Sequence, residues 1–426
     1  MHLLLTALGS YGDVLPMVGL GAAMRERGHE VSVITNPHFR EETESAGLDL
    51  VPLGTIEEYE ELTSHPDLWR PIRGPKIMME LVATFARELY DTISDHYRVG
   101  ETVLGSHGLD LAGRTFSEKQ IQQGNRAPQA TIHYAPLALR TMHDTPNFIG
   151  AFTQPPTPRW LKRLQFWLGD KLVIDRILGK EVNGLRAELG LPPVSRIYRQ
   201  WHNSPELTLC FWPEWFGPKQ PDWPHSAELV GFPLYDSDPA AELSEDVETF
   251  LNAGEPPIAF APGSANTQAA KFFQTAVGVC EKLDRRGVLL TKYPQQIPDD
   301  LPPSVQHFAF VPFSKLLPRV AALVHHGGIG SCAQALSAGV PQLVMPMSYD
   351  QLDNATRLKR LGTGDLVMPK QFKTHKVAQR LAELFQQPSI HESCQQLAKR
   401  CDGAVAIRGA CENFERLFND TEKGKR

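Results

Sequence analysis

Short apolar runs that alternate with helical segments constrain the fold of this 426-residue chain more than any other feature. Strand-like runs occupy residues 2–8, 30–35, 102–105, 130–133 and 207–211 and, in the second half, residues 258–261, 287–291, 307–310, 322–325 and 342–345. Helical apolar spacing between them is clearest at residues 15–27, 269–285, 331–338 and 354–361. Because strands that are joined through helices pair in parallel, this pattern predicts an α/β fold with parallel sheets.

A stretch rich in proline, acidic residues and turn formers divides the alternation into two series. We predict a Rossmann-like first domain over residues 1–230, an interdomain linker over 231–256, a second Rossmann-like domain over 257–408 and a C-terminal helix within 409–426. Since 42% of the residues are hydrophobic, the chain is long enough to give both domains cores of their own.

Residues 325–331, in the second series, have the composition of an anion-binding loop. They follow the apolar run 320–324 and precede a short helix that ends at Gly339. Glycines let the backbone approach a ligand closely, and the N–H groups and dipole at a helix start attract negative charge. An imidazole there can donate a further hydrogen bond to a phosphate oxygen. The alternative is a plain tight turn from strand to helix, although that leaves the pair His325 and His326 unexplained.

Asp350 and Gln351 follow the next apolar run, residues 340–346, and so lie at the carboxyl end of a strand. Open α/β sheets bind their ligands at that edge. An adjacent carboxylate and amide together offer acceptors and donors for hydroxyl groups. A compatible alternative is that Asp350 caps the helix that runs to about residue 361. A phosphate loop followed by a hydroxyl-binding pair indicates a nucleotide-sugar site.

These motifs resemble the donor-binding signature of the family 1 glycosyltransferases, which include UDP-glycosyltransferases, sterol glucosyltransferases and bacterial enzymes that glycosylate antibiotics and lipids. The matching residues are Phe310-Val311-Pro312, His326-Gly327-Gly328-Ile329-Gly330-Ser331, Gly339-Val340-Pro341, Pro346 and Asp350-Gln351-Leu352-Asp353-Asn354-Ala355. Residues 200–236 resemble in particular the rhamnosyltransferases of bacterial rhamnolipid synthesis. The resemblance covers nearly the whole chain. It implies the GT-B fold, in which two Rossmann-like domains face each other across a cleft and the last helix crosses back to the first domain.

The resemblance also implies which residues bind the donor. They are Gly12, Gly263, Ser264, Phe310, Val311, His326, Gly328, Gly330, Ser331, Gln334, Asp350 and Gln351. For Ser264, capping of the following helix is an equally weighted alternative. Phe310 stands where plant enzymes have a tryptophan that stacks on uracil, and Gln334 stands where they have a glutamate that binds the ribose. These two differences leave room for a dTDP-sugar donor beside a UDP-sugar.

The opening loop, Gly9-Ser10-Tyr11-Gly12-Asp13-Val14-Leu15-Pro16, resembles that of the bacterial and sterol branches of the family. Asp13 stands where plant members have their catalytic histidine, so the resemblance implies that Asp13 is the catalytic base. An ionised carboxylate can accept the proton of an attacking hydroxyl group. The alternative is that Asp13 only caps a helix that starts near residue 15.

Composition and charge exclude several other classes of protein. A net charge of −6 gives no basic footprint for nucleic acid, and no stretch has the length of a membrane span or the pattern of a signal peptide. The six cysteines form no C-x-x-C pair, which favours reduced thiols. The triplet Asp236-Ser237-Asp238 has the D-x-D form of a metal-binding pair, but its place in the acidic linker favours a solvated turn. We expect a cytoplasmic enzyme that needs no metal and no cofactor besides its nucleotide-sugar co-substrate.

The acceptor site is predicted in the first domain, where residues 72–97 and 159–185 have helical apolar spacing. Within the second segment, residues 160–168 combine aromatic and leucine side chains with Lys162 and Arg163. Three interpretations stay open for this segment: a wall of an apolar acceptor cleft, peripheral contact with the inner face of the plasma membrane, or an ordinary core helix. His133, His143 and His202 have no metal-ligand spacing and are expected to be structural or close to the acceptor.

Taken together, the patterns predict an inverting, metal-independent hexosyltransferase. It would move a sugar such as rhamnose or glucose from a dTDP- or UDP-sugar to a hydroxyl group of a lipid-like or other apolar acceptor. Two alternatives are a nucleotide-sugar epimerase of the same fold and a donor-binding relative without transfer activity. An epimerase would need ionisable residues suited to elimination in place of this opening loop, and a relative that only binds the donor would typically lack Asp13 or the phosphate loop.

Overall fold

The computed structural model describes residues 1–153, 156–236 and 242–423, and the first of its two sheets contains seven parallel strands. These are β1 (His2–Thr6), β2 (Glu30–Thr35), β3 (Asp49–Pro52), β4 (Thr102–His107), β5 (Gln129–His133), β6 (Leu207–Cys210) and β7 (Ala227–Leu229). Their order across the sheet is β3-β2-β1-β4-β5-β6-β7. The strand order therefore reverses between β1 and β4, which makes the crevice beyond their carboxyl ends the expected ligand site.

The second sheet repeats this arrangement with six parallel strands. They are β8 (Ile258–Ala261), β9 (Gly287–Leu290), β10 (Val305–Phe308), β11 (Ala322–His325), β12 (Gln342–Val344) and β13 (Gly364–Leu366). The order β10-β9-β8-β11-β12-β13 again reverses at the centre, between β8 and β11. Both sheets thus have the doubly wound topology in which ligands bind at the switch point.

Helices cover the sheets and connect the strands. In the described ranges they are α1 (Tyr11–Glu26), α2 (Arg40–Ser45), α3 (Ile56–Ser64), α4 (Arg73–Thr84), α5 (Ala86–His96), α6 (Ala112–Gln122), α7 (Arg159–Gly169), α8 (Asp175–Glu188), α9 (Glu245–Asn252), α10 (Ala270–Leu283), α11 (Phe313–Leu316), α12 (Ile329–Ser337), α13 (Gln351–Arg360), α14 (Thr374–Phe385), α15 (Pro388–Ala398) and α16 (Gly403–Lys423). Short π-helical segments lie at Asp170–Ile174 and Ile197–Trp201.

The two parallel α/β sheets predicted from the sequence are confirmed, with differences at the edges and ends. The pattern missed β3, β7 and β13, which are edge or near-edge strands of only three or four residues. Strand β10 ends at Phe308, so Phe310 lies after the strand and not in it. Helix α1 begins at Tyr11, four residues before the predicted start, because Ser10 serves as its N-cap. Pro16 lies inside the helix, where it removes one backbone hydrogen bond without ending the helix.

Each sheet has its own apolar core, and a third core joins the two halves. Helix α16 belongs to the first core, since Phe414 and Leu417 pack with Leu5 and Val103. The joining core brings Trp212, Phe216 and Phe232 of the first half against residues such as Leu336 and Leu358 of the second half. This junction fixes the relative position of the sheets at one end of the space between them.

An ion-pair cluster lies at the same junction. The Arg357 guanidinium, only 3% exposed, donates to the Asp353 carboxylate on its own helix and to the Asp144 carboxylate of the first half, at 2.8 and 2.7 Å. The Asn147 backbone N–H donates to Asp353 at 3.0 Å. The cluster therefore ties α13, which follows the predicted hydroxyl-binding pair, to the first half of the chain. Within the described ranges, no helix combines the length and the apolar composition that a membrane span requires.

Candidate functional site

A cavity of about 1180 Å³ lies between the carboxyl edges of the two sheets. The loops that follow β1, β8 and β11 all open into it, so it lies at the switch points of both sheets. Every predicted site residue lines this one cavity: Gly12, Asp13, Gly263, Ser264, Phe310, Val311, His326, Gly328, Gly330, Ser331, Gln334, Asp350 and Gln351. The structure therefore brings together residues that are as much as 339 positions apart in the chain, from Gly12 to Gln351.

Two helix N-termini meet at the centre of the cavity. Helix α12 begins at Ile329 in the glycine loop, and α1 begins at Tyr11 in the opening loop. The loops come so close that a Cβ added to Gly330 would lie 4.0 Å from the Cα atom of Gly12. Because both helix dipoles have their positive ends here, the part of the cavity beside these two loops suits a diphosphate.

The two adjacent histidines have different environments. His325 is fully buried, and its Nε2 pairs with the Gln342 side-chain oxygen at 3.0 Å. His326 instead faces the cavity, where Gly263 packs against it; a Cβ added to Gly263, whose φ is +106°, would lie 3.1 Å from the imidazole. Burial lowers the pKa of His326 to about 4, so the imidazole is neutral at pH 7.

One nitrogen of His326 is positioned for a ligand. Its Nδ1 atom is buried and has no hydrogen-bond partner within the described ranges of the chain. A buried polar atom without a partner is costly, so its presence in a cavity indicates a binding role. The plain-turn interpretation of this loop does not account for such an atom.

Asp350 and Gln351 stand at the start of α13, on the wall opposite α1. The Asp350 side chain makes no capping hydrogen bond, so the capping alternative is wrong; the Asn354 amide donates to its Oδ2 at 2.7 Å instead. Burial raises the pKa of Asp350 to about 7, and this effect exceeds the opposing effect of the Asn354 hydrogen bond. Gln351 accepts the backbone N–H groups of Met347 and Ser348 through Oε1, which holds its side chain in place.

Asp13 caps α1 and also lines the cavity, so capping does not exclude the predicted catalytic role. It occupies the third position of α1, where its Oδ2 accepts the Ser10 backbone N–H at 2.8 Å in a capping box. Its other oxygen, Oδ1, lies 3.6 Å from the Nε2 atom of His107. Gly9, with φ of +128°, permits this packing, since a Cβ there would lie 2.4 Å from the Asp13 carboxylate. Capping thus orients the carboxylate at the cavity wall.

His107 is a residue that the sequence analysis missed. It ends β4, the strand beside β1 at the switch point, and is buried behind Asp13. Its Nδ1 accepts the Leu109 backbone N–H at 3.0 Å, so in the neutral ring the proton is on Nε2 and points towards Asp13. A prediction of the strand order could have identified His107. Residues at the ends of β1 and β4 lie close together only when those two strands are neighbours in the sheet.

The remaining predicted donor residues lie around one end of the cavity. Phe310 is 74% exposed at its rim, whereas Val311 beneath it is buried. Ser264 does not cap a helix, because α10 begins six residues later with Ala269 at its N-cap; that alternative is wrong. Gln334 lies on the cavity-facing side of α12. An exposed ring above a backbone segment is an arrangement that can hold a nucleobase by stacking.

Helices of the first domain supply an apolar part of the cavity. Met78, Leu81 and Val82 of α4 line it together with Phe85 and Leu89. No described residue of the second predicted acceptor segment, 159–185, lines it, so that part of the acceptor prediction is wrong. A core-helix interpretation fails as well for most of α7, because its aromatic and leucine side chains are mostly exposed and only Phe166 is buried.

The other histidines are not positioned for acceptor chemistry. His133 is buried and its Nε2 pairs with the Asn203 side-chain oxygen at 2.7 Å, while burial lowers its pKa to about 4. His202 is also buried, and His143 is on the surface. None of the three lines the cavity within the described residues.

The D-x-D triplet lies only partly within the described residues. Ser237 and Asp238 fall outside them, whereas Asp236 lines the cavity and so is not part of a wholly solvated turn. Across the described ranges, no group of three or more His, Cys, Asp or Glu side chains is arranged to hold a metal ion.

Comparison with known proteins relates both halves of this site to described families. A family model described as "Glycosyltransferase family 28 N-terminal domain" matches residues 3–111, which include Asp13 and His107. A second model, described as "Erythromycin biosynthesis protein CIII-like, C-terminal domain", matches residues 281–404, which include His326 and Asp350.

Individual relatives match over most of their length. The chain is 28% identical over 429 residues to the O-mycaminosyltylonolide 6-deoxyallosyltransferase of Streptomyces fradiae, covering 97% of each protein. It is 27% identical over 372 residues to the dTDP-epi-vancosaminyltransferase of Amycolatopsis orientalis, covering 85% of each. Among solved structures, the glycosyltransferase of kitacinnamycin superposes with a TM-score of 0.74 at 20% identity, covering 98% of this chain and 99% of that one. The two chains therefore share one fold.

Proposed function

We propose that this chain, which belongs to the family 1 glycosyltransferases of the GT-B fold, transfers a hexose or 6-deoxyhexose from a dTDP-sugar to a hydroxyl group of an apolar acceptor. The family models and the named relatives support glycosyl transfer over the two alternatives, an epimerase and a protein that only binds the donor. The convergence of two helix N-termini and His326 on one cavity carries the proposal, because it fits a diphosphate group.

In the proposed reaction, the acceptor oxygen attacks the anomeric carbon of the donor. Asp13 Oδ1 accepts the hydroxyl proton, the new glycosidic bond forms, and the bond between the sugar and the diphosphate breaks. The departing diphosphate carries the negative charge, which the dipoles of α1 and α12 and a hydrogen bond from neutral His326 stabilise. Attack from the side opposite the leaving group inverts the anomeric configuration.

His107 acts as a positioning residue in this scheme. Its Nε2–H points at Asp13 Oδ1 from behind, 3.6 Å away, and the capping box holds Oδ2. The capping box thus holds one oxygen of the carboxylate, and a shortening of the 3.6 Å separation would let His107 donate to the other oxygen. Asp350 and Gln351 would bind hydroxyl groups of the sugar on the other wall.

The residues expected to contact the nucleoside favour a dTDP-sugar donor over a UDP-sugar donor. Gln334 carries no charge where plant relatives place a ribose-binding glutamate, and deoxyribose in dTDP has no 2′-hydroxyl for that glutamate to bind. Phe310 offers a smaller stacking surface than tryptophan. The name of the Amycolatopsis relative, which specifies a dTDP-linked sugar, supports the same choice.

The acceptor is proposed to be an apolar small molecule, lipid-like or polycyclic. The part of the cavity around Asp13 is lined by Met78, Leu81, Val82 and Phe85. Apolar side chains of this kind favour a ligand whose reactive hydroxyl is its main polar group.

Calorimetric titration with dTDP and UDP tests the donor assignment. Wild-type protein is expected to bind dTDP at least as tightly as UDP. His326→Ala should weaken both by about 1.5–3 kcal/mol, or about 10- to 150-fold, because a hydrogen bond to a charged oxygen is lost. The control is His143→Ala, a surface histidine outside the cavity, which should change neither affinity. Absence of nucleotide binding by the wild type would contradict the proposed function.

We also propose that α7 gives the enzyme peripheral contact with an anionic membrane surface, at the inner face of the plasma membrane. The apolar stripe on and just after this helix comprises the exposed residues Trp160, Leu164, Trp167, Leu168, Leu172 and Val173. The charged side chains exposed among residues 159–173 are all basic, namely Arg159, Arg163 and Lys171, and the one acidic residue, Asp170, is buried against Arg140. Aromatic and basic side chains on one helix fit the interface of an anionic bilayer.

Vesicle co-sedimentation tests this contact. We expect binding to phosphatidylglycerol vesicles, weaker binding to phosphatidylcholine, and about a tenfold loss in the double variant Trp160→Ala/Trp167→Ala. The matched control is Ile121→Ala/Val405→Ala, which removes two exposed apolar side chains elsewhere. If Trp160→Ala/Trp167→Ala binds vesicles as well as the wild type does, α7 is not a membrane contact. The same holds if the variant changes oligomeric state while its lipid binding stays the same.

A further inference from the structure

One loop of the first domain crosses the cleft and is held by the second domain. The bridging loop, residues 63–70, links the end of α3 to α4. Its backbone carbonyls accept hydrogen bonds from four second-domain side chains: Tyr349 donates to Leu68 at 3.0 Å, Thr267 to Thr63 at 3.2 Å, Gln268 to His65 at 3.3 Å and Ser348 to Arg70 at 3.5 Å. Since all four acceptors are main-chain atoms, the contacts fix the path of the loop.

Tyr349 makes the contact nearest to the donor side of the cavity. It has a φ of 56°, a left-handed conformation that a bulky residue adopts only at a cost in free energy. This conformation directs the phenol to the Leu68 carbonyl and places the next residue, Asp350, at the cavity wall. The strained backbone therefore connects the predicted hydroxyl-binding pair to the bridging loop.

The bridging loop carries Trp69 into the cavity. The indole lies edge-on to the His326 ring, with centroids 6.3 Å apart, and edge-on to the Tyr349 ring, with centroids 5.9 Å apart. It lines the cavity between the predicted phosphate loop and Asp350. Its Nε1–H is buried and, within the described ranges, has no acceptor. Such a donor is costly unless a bound ligand supplies the acceptor.

We propose that Trp69 binds the donor from the opposite domain, its indole N–H donating to an oxygen of the transferred sugar. The assignment rests on the proposed function, since it takes the diphosphate to lie at His326 and the sugar to lie beside Asp350. Tyr349 is a positioning residue for this contact, because it holds the loop that carries Trp69. The sugar, and not the nucleotide alone, would then bring the two domains together around the reacting carbon.

Comparing the affinity for dTDP with the affinity for a dTDP-sugar tests the Trp69 contact independently of the rest of the site. We would titrate wild type and Trp69→Phe with dTDP, dTDP-glucose and dTDP-rhamnose by calorimetry. Phenylalanine keeps a ring in place and removes only the N–H. Trp69→Phe is expected to bind dTDP as wild type does, and to bind the preferred dTDP-sugar about 3- to 10-fold more weakly.

Trp223→Phe is the matched control, since Trp223 also has a buried indole N–H without an acceptor in the described residues but does not line the cavity. It should leave both affinities unchanged. Tyr349→Phe should also weaken binding of the dTDP-sugar, and the double variant Trp69→Phe/Tyr349→Phe should lose less than the two single losses combined, because both act through one contact.

The outcomes distinguish this inference from the proposed function. If wild type binds dTDP but Trp69→Phe binds the dTDP-sugar equally well, the inference is wrong and the donor site stands. An equal loss for dTDP and the dTDP-sugar would also overturn it, since the N–H would then serve the nucleotide. No binding of dTDP by the wild type would overturn the proposed function itself. Melting temperatures of all variants establish that each is folded.

Discussion

At the scale of single residues, Asp13 has a structural role as a helix cap and a proposed chemical role as the base. Its two oxygens have separate tasks, since Oδ2 caps α1 through Ser10 and Oδ1 faces His107 and the cavity. A helix cap and a catalytic group are therefore compatible in one side chain. In the proposed mechanism capping assists catalysis, because it removes the rotational freedom that a carboxylate base would otherwise lose on binding the acceptor.

Asp13→Asn separates these two roles. The asparagine oxygen can still accept the Ser10 N–H, so we expect the melting temperature to change little. The basic oxygen is lost, and general-base contributions of about 10²- to 10⁴-fold predict a fall in turnover within that range. Affinity for dTDP should stay unchanged. Glu26→Gln, which makes the same substitution type at the exposed far end of α1, is the control. Near-normal turnover with a lowered melting temperature would make Asp13 a cap only.

Asp350 provides a prediction about pH. An aspartate in an unfolded chain titrates near pH 4, whereas burial raises the pKa of Asp350 in the folded protein to about 7. Between these values the unfolded chain binds fewer protons than the folded one, so stability falls as pH rises and the loss is complete above about pH 7. Asp350→Asn removes this cost. We expect the variant to be more stable than the wild type at pH 8, by on the order of a few kcal/mol, and equally stable below pH 4.

Chemical denaturation of both proteins without ligand measures this difference, and calorimetry with a dTDP-sugar should show weaker binding by the same variant. A stability gain coupled to a loss of binding is the behaviour of a group retained for function. If Asp350→Asn destabilises the protein at every pH, then the carboxylate serves the fold through Asn354 and not the donor.

At the scale of elements, the sequence pattern predicted the apolar strands of both sheets, including strands of only three or four residues. It failed for β3, β7 and β13, because each is an edge strand with a single buried residue and so gives no apolar run in the sequence. The glycine loop at His326 could be predicted, because its residues are contiguous in the sequence and form a motif. His107 and Trp69 were not, since each acts through a partner that is remote in the chain and adjacent only in the folded structure.

Helix α16 packs against strands of the first sheet that are remote from it in the sequence. Phe414 is fully buried in the first core, and a Cβ added to Gly105 would lie 3.1 Å from its ring. Phe414→Ala is expected to lower the free energy of unfolding by about 3–5 kcal/mol, as for other buried aromatic truncations. Val405→Ala, on the same helix but with its side chain 53% exposed, should cost little. Denaturation monitored by circular dichroism compares the two, and equal small effects would mean that α16 does not stabilise the first sheet.

At the scale of the whole molecule, the two sheets are joined at one end and open at the other. The shared apolar core and the buried cluster of Arg357, Asp353 and Asp144 fix the junction. The cavity lies where the two switch points face each other, and the bridging loop spans it. The proposed reaction therefore takes place between groups on separate domains, with Asp13 on one domain and His326 and Asp350 on the other.

The groups that line the predicted diphosphate position lead to a prediction about metal ions. Glycosyl transfer requires that the charge developing on the leaving diphosphate be stabilised, either by a bound cation or by protein groups. The described residues offer two helix N-termini and His326 at the expected position, and they contain no cluster of three acidic, histidine or cysteine side chains suited to a metal. We expect turnover to be unchanged after dialysis against excess EDTA, measured as release of dTDP from the dTDP-sugar in the presence of acceptor. Loss of turnover that magnesium or manganese restores would show that a cation neutralises the diphosphate, and the roles assigned here to the dipoles of α1 and α12 would then be wrong.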